Sequence, residues 1–63
     1  MSTRHRFDLR QDGEHTWEIF DTTNGRTAVF GGEPFCGLPL HSADTLADYM
    51  NSAGMAPDKD TLH

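Results

Sequence analysis

The sequence predicts an α+β domain in which a three-stranded antiparallel β-meander packs on one C-terminal α-helix. Three observations predict it. Apolar residues alternate with polar ones over 4–10 and again over 16–21, and a period of two marks half-buried strands. The dipeptides Asp12-Gly13 and Asn24-Gly25 fall beside these runs, where hairpin turns belong. From Ser42 the period changes to three and four residues and stops at Gly54, as in a single capped helix.

In the first run Phe7 and Leu9 point one way, and Arg4, Arg6, Asp8 and Arg10 the other. In the second, Trp17 and Ile19 share the inner face. A two-residue Asp12-Gly13 turn would set Phe7 against Glu18. A three-residue loop, Asp12-Gly13-Glu14 with Gly13 or Glu14 left-handed, sets Phe7 against Ile19 and Leu9 against Trp17. A one-residue slip flips every side chain, so matching selects the odd-length loop.

At the second hairpin a two-residue type I′ turn on Asn24-Gly25 pairs Ile19 with Phe30 and Phe20 with Val29. A three-residue loop, Thr23-Asn24-Gly25 with a bulge, pairs Ile19 with Val29 instead. The first is preferred because Asn-Gly suits both left-handed positions. In either case Phe20 faces away from Trp17.

Gly31-Gly32-Glu33-Pro34 ends the third strand. The apolar connector that follows has room for a short fourth strand over Phe35 to Leu38, held to an edge because Pro39 lacks an amide hydrogen. Phe35, Leu38 and Leu40 are expected to fill the seam between sheet and helix. Ser42 is the expected N-cap, and Asp44 complements the positive end of the helix. Ala43, Leu46, Ala47, Met50 and Ala53 form one apolar stripe. Gly54 takes the C′ position and Pro57 forbids resumption. The domain is thus expected to span 1–54, followed by a flexible polar tail over 55–63.

Over Trp17 to Ala53 this layout resembles the plant ethylene-response-type and phage-integrase arm-type DNA-binding domains. The likeness rests on Trp17-Glu18-Ile19, a glycine-containing hairpin and the helix from Ala43 to Ala53. It implies the fold alone. Those families read DNA with an arginine- and tryptophan-rich sheet face, whereas Trp17 falls on the core face and Arg26 is the one basic residue on the second and third strands.

Sixty-three residues lie near the lower limit for a domain without a staple. Conformational entropy of about 1.5 kcal/mol per residue roughly cancels apolar burial at about 25 cal/mol per Å². Cys36 is the sole cysteine, so no intrachain disulfide helps. Self-association is the remaining common remedy, and a homodimer is expected. No run nears the roughly 20 apolar residues that span a bilayer. The stretch Met1 to Arg6 leads into no apolar export segment, and a lone thiol fits the reducing cytoplasm.

The chemistry-bearing residues are scattered. Zinc takes three or four converging ligands, usually delivered as close pairs, and Cys36 with His41 is the only near pair here. The apolar neighbours of Cys36 would raise its thiol pKa and suit a small core filler. Asp8 and Glu18 are expected as cross-strand neighbours in a charge lattice kept ionised by Arg6 and Arg10, not as an acid–base pair in a cleft. Gly31-Gly32 lacks the lysine and helix start of a phosphate loop. No catalytic residue, cofactor or metal ligand is expected, so the chain reads as non-enzymatic.

What remains is the outer sheet face, where Arg4, Arg6, Arg10, Phe20 and Val29 form the candidate binding set, with Arg6 over the Phe20 ring. Aromatic and arginine residues are enriched at interface centres. The expected function is a self-associating protein-interaction or regulatory module working through this face or an edge strand. The alternative is a nucleic-acid binder using the arginine strand. The charge distribution weighs against it: three arginines and Asp8 occupy the first ten residues, but the rest carries Arg26 and Lys59 against nine acids, for a net charge of −5. Backbone binding to nucleic acid scales with phosphates neutralised.

Overall fold

The computed structural model describes residues 5–56, and its elements follow the predicted order. Strands β1 (Phe7–Gln11), β2 (Trp17–Asp21) and β3 (Arg26–Thr27) form an antiparallel sheet in that order. A small hairpin follows, β4 (Val29–Phe30) with β5 (Glu33–Pro34), and then helix α1 (Leu40–Ala53). The helix packs on β1 and β2. The part of the expected tail from Pro57 onward lies outside the described residues.

Side-chain parity in the first hairpin follows the alternation; the register does not. Phe7 pairs with Asp21, Leu9 with Ile19 and Gln11 with Trp17, two residues away from the expected pairing. Alternation fixes register only to a multiple of two, and the loop supplies the rest. Its five residues close through the Asp12 N–H donating to the Thr16 carbonyl at 3.1 Å and the Thr16 hydroxyl donating to Asp12 Oδ1 at 2.6 Å. A Cβ on Gly13 would stand 2.5 Å from Thr16 Oγ1. Close approach, and not a left-handed backbone, therefore fixes this glycine, and among the described residues no non-glycine has positive φ.

The second hairpin takes neither expected turn. Phe20 pairs with Thr27 and Asp21 with Arg26, which leaves a four-residue loop, Thr22 to Gly25. The Asp21 carbonyl accepts from the N–H groups of both Asn24 (3.2 Å) and Gly25 (2.7 Å). Only Gly25 is left-handed, so the type I′ expectation at Asn24-Gly25 is overturned. The Asp21 side chain decides the matter, folding over the loop to accept from the Thr23 N–H (2.9 Å) and hydroxyl (2.6 Å).

The type I′ geometry occurs instead at Gly31-Gly32, with φ of 60° and 79°. These two glycines join Val29↔Pro34 and Phe30↔Glu33, and φ > 0 at both central residues is what that turn demands. The third strand breaks at Ala28, which is fully buried. Its N–H donates to the Ile19 carbonyl (2.9 Å), its carbonyl accepts from Phe35 N–H (3.0 Å), and the Phe35 carbonyl accepts from Ile19 N–H (2.9 Å). The fourth strand expected at Phe35 to Leu38 reduces to a single bridge, Leu38 with Trp17. The far side of β2 is thus shared, β3 covering one end and this connector the other.

The helix begins three residues earlier than Ser42 implied. Pro39 is the N-cap, with φ −62° and ψ 151° and no side-chain cap, and its carbonyl accepts from Ala43 N–H at 2.9 Å. With Leu38 clamped to Trp17, the chain turns immediately, so Ser42 sits inside the first turn and Asp44 beyond it. The C-terminus is a Schellman motif: left-handed Gly54 donates to Asn51 and Met50 carbonyls, and Met55 N–H donates to Met50 at 3.1 Å.

The buried core is Phe7, Ile19, Ala28, Ala43, Ala47 and Met50. Leu9, Trp17, Phe30, Phe35, Leu38 and Met55 pack around it. Phe30 bridges Phe7 and Phe35, with ring centroids 5.8 and 5.4 Å away. Two expected members of the helix stripe, Leu46 and Ala53, are exposed, as is Leu40. The helix buries Ala43, Ala47 and Met50, a narrower stripe than the spacing implies, and Leu46 and Ala53 fall outside it.

Candidate interaction surfaces

Among the described residues the predicted arginine row is divided, Arg6 and Arg10 taking different carboxylates. Arg4 lies outside the described residues. Arg6 turns away from Phe20 to Asp21, donating from Nε (3.1 Å) and Nη2 (2.9 Å) to Oδ2. Asp21 is 1% exposed, and its other oxygen takes both Thr23 bonds, so this charge is fully satisfied. Removed from water, a carboxyl rises in pKa; the Arg6 and Thr23 hydrogen bonds and the Arg6 charge outweigh that and hold Asp21 below 3.8. The reason for the correction is register. The two-residue shift puts Asp8, not Arg6, opposite Phe20.

Arg10 takes the place expected of Arg6, with its guanidinium carbon 4.4 Å from the Phe20 ring centroid. It pairs with Glu18, its cross-strand neighbour, at 2.6 Å and donates to the Gly25 carbonyl at 2.8 Å. Glu18 also accepts from the Thr27 hydroxyl. That bond, more than Arg10, lowers its pKa below 4.5 against the opposing effect of burial. Val29 is half-buried in the β4–β5 hairpin, so Thr27 stands beside Phe20 where Val29 was expected. Of the four described members of that set, Arg6, Arg10, Phe20 and Val29, Arg10 and Phe20 meet.

Asp12 is the third carboxylate held down, by the Thr16 hydroxyl first and the Gly37 amide second. These bonds tie the first hairpin loop to the connector, Gly37 N–H reaching Asp12 Oδ2 at 2.7 Å. For all three groups the folded pKa lies below the unfolded one. Each stabilises the fold above its ordinary value of 3.8 or 4.5 and ceases to as pH falls through the folded value. Urea midpoints should therefore be level from neutral pH to about 5 and fall steadily below about 4. A midpoint that rises on acidification would contradict this assignment.

Between the outer edge of β1 and α1 run two shallow grooves of about 270 and 250 Å³. Both are lined by His5, Phe7, Asp48 and Asn51; Asp8 and Asp44 line the second. Asn51 spans the gap, its Oδ1 accepting from Phe7 N–H (2.9 Å) and its Nδ2 donating to Phe7 carbonyl (3.0 Å). Asp8 Oδ1 takes the Leu9 N–H at 2.8 Å. The open edge of β1 is therefore capped by side chains, a common way to blunt a sheet edge.

Cys36 is exposed and does not fill the core as expected. Among the described residues no group of three His, Cys, Asp or Glu side chains converges as a metal site. No described helix is long and apolar enough to cross a membrane.

The sequence reading missed the outer side of α1. Tyr49 is 63% and Leu46 36% exposed, and both share the turn-to-turn spacing that places Ala53 with them. The signal was present in the uncharged run of helix positions 42, 45, 46, 49, 52 and 53, but assigning Leu46 and Ala53 to the core hid it. No protein-family model, curated protein or solved structure matches this chain.

Proposed function

We propose that this chain is a small non-enzymatic protein-interaction module of the cytoplasm that associates with itself. One observation carries the reading. The described guanidiniums of the expected basic strip are engaged by the protein's own carboxylates, Arg6 by Asp21 and Arg10 by Glu18, while large apolar side chains stand exposed on the helix. Phosphate contacts would compete with those internal pairs, and the surrounding net charge of −5 repels a polyanion. Apolar surface in a chain with so few large core residues favours association.

Sedimentation velocity across micromolar concentrations, alongside titration of fluorescent DNA and RNA at about 50 mM salt, tests this reading. Concentration-dependent self-association without nucleic-acid binding is expected. A strict monomer that binds oligonucleotides in a salt-sensitive way would establish the opposite.

A further inference from the structure

Resting on that reading, we infer that the outer face of α1 is the self-association surface and that its occupant is the same face of a second copy, packed antiparallel about a two-fold axis near Tyr49. Ser42, Thr45, Leu46, Tyr49 and Ala53 are all exposed, and none carries charge. Asp44, Asp48 and Ser52 lie on the groove side. Two molecules that each carry −5 can approach across this face without opposing like charges. A charged foreign partner finds nothing here to complement. Depletion of charge around an aromatic anchor is the composition of an interface centre.

The spacing is self-complementary. Leu46 and Ala53 lie three and four residues on either side of Tyr49. An antiparallel copy sets the large Leu46 of each helix against the small Ala53 of the other, with the two tyrosines at the axis. A helix pair needs such large-to-small matching to reach an interaxial distance of about 8–10 Å. Antiparallel packing also places opposite helix termini together, a favourable arrangement of dipoles. The second copy is preferred as occupant because the deficit it remedies belongs to every molecule. Among the described residues the large apolar side chains that are fully buried are Phe7, Ile19 and Met50, a small core that every copy of the chain shares.

The test is sedimentation equilibrium of the full chain with three variants, the fold of each checked by near-ultraviolet dichroism of Trp17. Tyr49→Asp is expected to weaken association at least about 30-fold, while Phe20→Asp on the sheet face leaves it unchanged. Ala53→Leu should weaken it by overfilling the hole, and Leu46→Ala/Ala53→Leu should recover it by exchanging knob and hole. Association lost with Phe20→Asp but kept with Tyr49→Asp overturns this surface and leaves self-association standing. A wild-type chain monomeric at every concentration overturns both.

Discussion

Asp21→Ala is expected to remove most of the domain's stability. The carboxylate is sealed from water and takes four hydrogen bonds, two from Arg6 and two from Thr23. Through them the start of β1 is tied to the end of β2, and the second loop is shaped. Removing one partner of a buried ion pair costs about 3–5 kcal/mol. The Arg6 side chain is 30% exposed and can partly rehydrate, which places the loss near 3 kcal/mol. A domain of this size has roughly 3–5 kcal/mol in total. Urea titration followed by Trp17 fluorescence reads this directly. Asp8→Ala, which removes one exposed bond to Leu9 N–H, is the comparison and should cost about 0.5 kcal/mol or less. Equal losses from the two would show that burial of Asp21 confers nothing.

Asn51→Leu is the second large effect. The carboxamide mimics a neighbouring strand, answering both main-chain groups of Phe7 at the open edge of β1. Leucine has a similar volume, cannot replace either bond and keeps water away from both groups. Each stranded group costs about 1–3 kcal/mol when fully buried, and because both bonds are only partly buried a loss at the low end for the pair, roughly 2–3 kcal/mol, is expected. Asn51→Ala opens the site to water and should cost less, about 1–2 kcal/mol. Exchange of the Phe7 amide hydrogen should accelerate in both variants. If leucine proves no worse than alanine, the amide pairing contributes only packing.

The strength of these two effects explains where the sequence was legible and where it was not. The inward set of Phe7, Leu9, Trp17 and Ile19 follows from alternation alone, because every register of the same parity buries the same side chains. Which residues oppose one another does not follow, since that depends on loop hydrogen bonds made by Asp12, Thr16 and Asp21. Asp21 looks like any polar residue at a strand end. Nothing in its neighbourhood along the chain announces that Arg6, fifteen positions earlier, will reach it. The candidate site moved for the same reason: a shift of two residues replaces Arg6 by Arg10 over Phe20 and diverts Arg6 to structural work.

Asn51 and Tyr49 were opaque in a different way. An asparagine late in a helix reads as solvent-facing until the neighbouring strand edge is known. The buried stripe is narrower than the apolar spacing implies, because spacing alone does not show that Ala43, Ala47 and Met50 are the helix residues that meet the sheet. The glycines illustrate the converse. Asn24-Gly25 has the better hairpin composition, yet Gly31-Gly32 adopts the type I′ turn because the Asp21 side chain has already claimed the earlier loop.

Salt dependence of self-association separates apolar contact between copies most directly from ion pairs between them, since Arg6 and Arg10 are held by carboxylates of their own molecule. Sedimentation equilibrium of the wild-type chain should give a dimer as tight at about 1 M salt as at about 0.1 M, or tighter, because ions screen repulsion between like-charged copies at these Debye lengths and leave apolar contact intact. A dimer that dissociates progressively as salt rises would mean that guanidinium–carboxylate pairs join the two copies, contradicting the assignment of Arg6 and Arg10 to pairs within one molecule.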